Sequence, residues 1–197
     1  MQQHVSDPFV KRAKREGYRS RSAFKLLEII ERDRLVKPGM LVVDLGAAPG
    51  GWSQVVAPLL GPNGRLVALD VLPMEPIPGV TFIQADFRED EALRALEKML
   101  AGQRVDLVLS DMAPNISGVS STDQAQSAHL TELAIDFALS RLKPGGALLV
   151  KAFHGAGTEE IRRRLTGAFE SLAVRKPGAS RQRSSEFYLL AKGLRHA

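Results

Sequence analysis

The chain has 197 residues, 44% hydrophobic and 25% charged, and no cysteine. That suits one soluble domain with a full core, and it excludes disulfides, a thiol nucleophile and cysteine-ligated metal. No apolar run is long enough to span a bilayer, and residues 1–7 lack the layout of a signal peptide, so a cytoplasmic protein is expected. The net charge of +5 is unevenly placed. Residues 1–40 carry ten Lys/Arg against five Asp/Glu, residues 41–158 eight against thirteen, and residues 159–197 nine against four. Basic ends around an acidic middle point to a polyanionic partner, most simply nucleic acid.

In chain order, residues 9–16 predict a short basic helix ended by Gly17. A second helix is expected from Ser20 or Ser22 to about Arg34, with Ala23, Leu26, Leu27 and Ile30 as its buried stripe. Lys25 lies off that stripe, so the pattern alone makes it a solvated surface residue. Lys37-Pro38-Gly39 turns the chain into Leu41-Val42-Val43-Asp44-Leu45, apolar and β-branched apart from one acid, as a strand covered on both faces would be. Gly46-Ala47-Ala48-Pro49-Gly50-Gly51 follows, and a helix beginning near Trp52 or Ser53 runs to Leu60. A strand, a glycine-rich turn and a helix N-terminus form a nucleotide-type site in a doubly wound sheet. The spacing is not the G-x-G-x-x-G of a dinucleotide site, and Pro49 removes an N–H that a pyrophosphate would use. This disfavours an NAD-dependent oxidoreductase.

After the turn at 61–64, Arg65–Asp70 reads as a second strand. Its terminal acid suits the ribose hydroxyls of a nucleoside ligand. Val80–Phe87 is a third strand with Asp86 near its carboxyl end, placed either to meet an adenine amino group or to cap the next helix. Val105–Asp111 is a fourth strand, and a helix from about Thr122 to Leu142 presents Leu130, Leu133, Ala134, Phe137 and Ala138 inward. Lys143-Pro144-Gly145-Gly146 stops it. Ala147–Phe153 is a fifth strand ending near Lys151, a lysine that must either snorkel out at the strand end or serve a site. A helix over 159–169, strands near 172–175 and 186–191, and a basic, flexible stretch over 176–185 complete the chain. The expected fold is therefore α/β, with a doubly wound, mostly parallel, seven-stranded sheet. Asp70, Asp86, Asp111 and Lys151 stand at carboxyl ends of strands, where such sheets hold their ligands.

Asp44–Ser53, Ser110-Asp111-Met112-Ala113-Pro114-Asn115 and Val150-Lys151-Ala152-Phe153 together resemble the FtsJ/RrmJ family of RNA ribose 2′-O-methyltransferases. Ser20–Leu26 and Ser184-Ser185-Glu186-Phe187-Tyr188 match its remaining motifs, so the resemblance runs nearly end to end. It implies a Rossmann-like class I methyltransferase in a single domain over 1–197, with a basic helical segment at 1–37. It implies S-adenosyl-L-methionine as cofactor, with Gly50 and Trp52 contributing through the glycine turn. Asp70 would take the ribose, Asp86 the adenine and Asp111 the methionine end.

It also implies the family's K-D-K-E tetrad, here Lys25, Asp111, Lys151 and Glu186, which reverses the surface reading of Lys25. Lys151 is then expected as general base, Lys25 as electrostatic partner and substrate positioner, and Asp111 and Glu186 as orienters. A lysine with a reference pKa of about 10.4 is a base only when neutral. A neighbouring ammonium and desolvation favour that form, and carboxylates oppose it. No metal is required. The implied substrate is a uridine ribose of 23S rRNA in the large ribosomal subunit, acted on by a monomer. Lys11, Arg12, Lys14, Arg15, Arg19, Arg21, Arg181 and Arg183 would hold the RNA backbone. The chain is expected to lack the short basic leader of many bacterial members. Rival readings are a non-catalytic RNA-binding protein, which leaves Lys151 unexplained, and a base N-methyltransferase. Many of the latter use Asp/Asn-Pro-Pro-aromatic to stack the base, and Asp111-Met112-Ala113-Pro114 has no such aromatic. Ribose methylation of tRNA or of mRNA caps remains open at the residue level.

Overall fold

The computed structural model describes residues 7–114, 120–155, 157–180 and 184–196, with the side chains of 120 and 121 left aside. Two helices, α1 (Pro8–Glu16) and α2 (Ser22–Asp33), precede an alternating series: β1 (Leu41–Leu45), α3 (Gly51–Leu60), β2 (Arg65–Asp70), β3 (Val80–Gln84), α4 (Asp90–Leu100), β4 (Val105–Ser110), α5 (Ser120–Arg141), β5 (Leu142–Phe153), α6 (Thr158–Ala168), β6 (Phe169–Arg175) and β7 (Glu186–Leu194). The seven strands form one sheet in the order β3-β2-β1-β4-β5-β7-β6. β1 to β5 run parallel, and β7 is antiparallel to both of its neighbours. The strand order reverses between β1 and β4, so the carboxyl ends of those two strands open the crevice where ligands of such sheets bind.

Helices cover both faces. On one side α4, α5 and α6 bury Leu96, Leu100, Ala134, Phe137, Ile161 and Leu165 against the sheet. On the other, α2 and α3 bury Leu26, Ile29, Trp52, Val55 and Val56 against β1, β4, β5 and β7. Every residue of β1 is buried, Asp44 included, as a central parallel strand covered twice requires.

The first helix forms as its sequence predicts. Asp7 caps it by accepting from the Phe9 N–H at 2.9 Å, and Gly17 closes it in the left-handed region. α2 departs from expectation. Its buried residues are Ala23, Phe24, Lys25, Leu26 and Ile29, while Leu27 and Ile30 are half-buried. The reason is that α2 is covered on more than one side. Leu26 and Ile29 meet the sheet-side core, whereas Phe24 packs with Phe9, Ala13 and Tyr18 of the α1 region. A single amphipathic stripe cannot describe such a helix.

Three boundaries also move. Strand β3 ends at Gln84, so Asp86 lies beyond it. Lys143–Gly146 is absorbed into β5 as an irregularity in its pairing with β4 rather than standing as a separate turn. The stretch after β6 is in part packed: Pro177, Ala179 and Ser180 are buried, and the Gly178 N–H donates to Glu28 Oε2 at 2.8 Å. Asn115 and the basic Arg181 and Arg183 lie outside the described residues.

Candidate active site

The glycine turn leaves β1 at its carboxyl end. Gly46 has φ +76°, and a Cβ there would come within 2.8 Å of Met112 backbone atoms, so the loop after β4 lies directly against it. Gly50 caps α3 from the left-handed region without any side-chain cap. The first-turn N–H groups of α3 thus keep their free polarity. The helix begins at Gly51, one or two residues earlier than expected.

Asp70 ends β2 and ties the turn in place. Its Oδ2 accepts from the Ala48 N–H at 2.9 Å and its Oδ1 from the Leu72 N–H at 2.8 Å. Asp86 caps no helix. It accepts the Arg88 N–H at 3.0 Å and both of its oxygens hold the Arg88 guanidinium, at 2.5 to 3.1 Å. Those hydrogen bonds keep its carboxyl below the usual range, against a smaller opposing effect of burial. The Trp52 side chain is 2% exposed. It donates from Nε1 to the Ser22 carbonyl at 2.9 Å and tilts against Tyr188, with 5.6 Å between ring centroids. Its indole therefore joins α3 to α2 and β7.

The four residues of the expected tetrad converge from four elements. Lys151 stands near the end of β5 and does not snorkel outward: its residue is 8% exposed. Its Nζ donates to the Asp111 main-chain carbonyl at 2.6 Å and lies 3.1 Å from Asp111 Oδ1. Thr131 Oγ1 of α5 donates to the Lys151 carbonyl at 3.1 Å and steadies the strand end. Lys25 of α2, buried rather than solvated, pairs with Glu186 at the start of β7. Burial pushes the Glu186 carboxyl up. The Lys25 hydrogen bond and the charges of Lys25 and Lys151 outweigh that and hold it below its ordinary value. The site is therefore two ion pairs, Lys151–Asp111 and Lys25–Glu186, at the rim of the sheet.

Tyr188 joins the pairs and carries a role that the sequence reading left out. Its O–H donates to Asp111 Oδ1 at 2.8 Å, and Lys25 Nζ stands 5.9 Å from its ring centroid. Burial, then the charges of Asp111 and Glu186, push the Tyr188 phenol well above its usual range, so it stays a donor. Strand alternation could have found it. Glu186 and Tyr188 are two residues apart and share one face of β7, and Tyr188 lies opposite Lys151 in the register.

Asp44 is a further acid that the sequence reading passed over. It is fully buried beneath the turn; Oδ2 accepts from Ser53 Oγ at 2.7 Å, while Oδ1 has no hydrogen-bond partner. An orphaned carboxylate oxygen under a glycine turn is unusual in a folded core. Together with Asp70 and the uncapped helix, it fits a ligand that carries both hydroxyl and ammonium donors. Among the described residues no group of three or more His, Asp or Glu could hold a metal ion, and no helix is long and apolar enough to cross a membrane.

The chain is similar to known proteins in both sequence and fold. A ribosomal RNA large subunit methyltransferase E of Methylobacillus flagellatus is 59% identical over all of this chain and 95% of its own length. That of an Azoarcus species is 58% identical over 99% of this chain and 95% of its own. A crystal structure of a protein described as a ribosomal RNA methyltransferase, from Plasmodium falciparum, superposes with a TM-score of 0.81 at 29% identity, covering 91% of this chain and all of that one. The sequence model of the FtsJ-like methyltransferases matches residues 18–194, and the chain belongs to that family.

Proposed function

We propose that this chain, acting as one domain in the cytoplasm, transfers a methyl group from S-adenosyl-L-methionine to the ribose 2′-hydroxyl of a uridine in 23S rRNA of the large ribosomal subunit. The observation that carries the reading is the buried Lys151, which turns inward to Asp111 beside the Lys25–Glu186 pair. A binding module has no use for a buried lysine at the end of β5 with a second buried lysine of α2 beside it, because desolvating each ammonium costs free energy that its ion pair only offsets. The relatives' shared name supplies the ribosomal substrate.

Within this reading the cofactor lies along the turn from Gly50 to Trp52, held by backbone groups there, by Asp70 at its ribose, by Asp86 at its adenine and by Asp111 at its methionine end. Asp86 serves that role only by sharing oxygens now held by Arg88. Once bound, S-adenosylmethionine supplies a methyl carbon already activated as a sulfonium. What remains for the protein is alignment and removal of one proton. Lys151, after its ammonium has released a proton to solvent, takes the proton of the 2′-hydroxyl at Nζ as that oxygen bonds to the methyl carbon and the carbon–sulfur bond breaks. The Asp111 carbonyl and carboxylate fix that nitrogen in place and receive the charge it gains. Tyr188 keeps Asp111 from rotating. Lys25, steadied by Glu186, attracts the oxygen as it becomes negative.

Lys151→Ala tests the assignment. Methyl transfer to large subunits should fall by about 10²–10⁴-fold, the usual range for a lost general base. S-adenosylmethionine binding, measured separately by calorimetry, should persist. Near-normal turnover removes Lys151 from the role of base.

A further inference from the structure

A cleft of about 710 Å³ opens at the end of the sheet remote from Lys151. Its walls are the end of α2, the turn into β1, the first residues of β4 and β5, and Lys192 near the end of antiparallel β7. The five residues of β1 alone separate it from the catalytic rim by about 15 Å. None of the groups assigned to cofactor or catalysis lies in it.

Four cations line the cleft, Arg34, Lys37, Lys143 and Lys192, against two acids, Asp33 and Asp106. Both acids are already committed. Asp33 holds Arg175 through both oxygens, at 2.8 and 2.6 Å. Asp106 pairs with Lys143 and also accepts the Leu41 N–H at 2.8 Å. Lys192 donates only to the neutral Asp33 carbonyl, at 2.7 Å. Arg34 and Lys37 are exposed and have no carboxylate partner among the described residues. Arg34 also adopts φ +50°, a conformation that non-glycine residues seldom take. The cleft therefore presents a net positive charge, left over at Arg34 and Lys37 once Lys143 is paired with Asp106 and Lys192 lies beside Asp33. Its remaining lining, Leu35, Pro38, Gly39, Met40, Gly145 and Ala147, contains no aromatic ring. A nucleobase would find no stacking platform there, so the groups such a surface takes are phosphates.

We infer that this cleft is a second RNA-docking site, which takes the phosphate backbone of a strand passing the far end of the sheet while the target ribose lies at the catalytic rim. The inference rests on the proposed RNA substrate. It gives the enzyme a grip on rRNA at two opposite ends of the sheet. Contacts of this kind add affinity and register and carry no sequence preference.

The test is an Arg34→Asn/Lys37→Gln double variant, with asparagine chosen because it tolerates the left-handed backbone. Binding to large ribosomal subunits is measured between 50 and 200 mM salt. Loss of two phosphate contacts should flatten the log–log salt dependence by about 1.4 to 1.8. KM for subunits should rise, while kcat at saturation and S-adenosylmethionine affinity stay unchanged. Lys37→Glu, a single exposed substitution, should raise KM further than Lys37→Gln. An unchanged slope and KM in variants with wild-type thermal midpoints overturn the inference. So does an unchanged slope when the wild type alone binds inorganic phosphate, which would mark a small-anion site. If the wild type itself fails to methylate subunits, the proposed function fails. If it methylates them and the slope is unmoved, only the cleft's role does.

Discussion

Tyr188 and Asp44 show how much of the site depends on single polar atoms. Tyr188→Phe removes one hydroxyl and preserves the ring against Trp52. Asp111 then loses its 2.8 Å donor, and methyl transfer should fall about tenfold while the thermal midpoint shifts by only a few degrees. An unchanged rate would limit Tyr188 to packing. Asp44 has a pH signature. Burial, with smaller contributions from Asp111 and Asp70 and opposed by the Ser53 hydroxyl, pushes its carboxyl up to about 7. In the unfolded chain it titrates near 4. A raised folded value favours the folded state fully below pH 4, and that advantage declines as pH rises to about 7 and is gone above it. A rise of roughly 3 units amounts to about 4 kcal/mol over that window. Asp44→Asn should therefore flatten the fall in urea midpoint between pH 4 and pH 7 and leave the variant the more stable protein at pH 8. An identical pH profile would contradict this. Neither residue stood out in the sequence. Asp44 reads as one polar letter in an apolar strand, and Tyr188 as one more core aromatic. Lys25 shows the same limit more sharply: helical periodicity placed it outward, because its partner Glu186 lies 161 residues away and only the tertiary fold joins them. The family motifs located it; the local pattern could not.

Among the elements, the strand-turn-helix of β1, the glycine turn and α3 was the most legible. Its apolar run, its glycines and its following helix are all local signals. What the letters could not convey is why Gly46 is a glycine: the Met112 backbone lies where a Cβ would stand. Gly46→Ala should cost a few kcal/mol through the φ +76° strain and this collision, or else displace the loop that carries Asp111. A lowered thermal midpoint with weakened S-adenosylmethionine binding is the expected result, and a wild-type midpoint would contradict it. Other element boundaries moved because tertiary pairing overrode punctuation. Lys143–Gly146 does stop α5, which ends at Arg141, yet pairing with β4 on either side of it draws it into β5 as an irregular start. α2 reads as an amphipathic surface helix, yet α1 covers the face the pattern left to solvent.

For the whole molecule, the seven strands, their mostly parallel run and a crevice at their carboxyl ends were legible, whereas the sheet order and the antiparallel β7 came only with the structure. The distribution of charge was only partly legible. The basic ends were plain, but the far cleft draws Lys143 from a segment whose net charge is negative, and only folding brings it beside Arg34 and Lys37. Binding to rRNA should weaken steeply with salt, and a flat response would argue against phosphate contacts at either end of the sheet. The most direct test of the account uses large ribosomal subunits from a strain lacking the enzyme, incubated with S-adenosylmethionine labelled in its methyl group. The label should appear on the 2′-oxygen of one uridine of 23S rRNA, protecting the adjoining phosphodiester from alkali, and should be lost with Lys151→Ala. Label on a base, or a Lys151→Ala enzyme that modifies the same ribose at the wild-type rate, would contradict it.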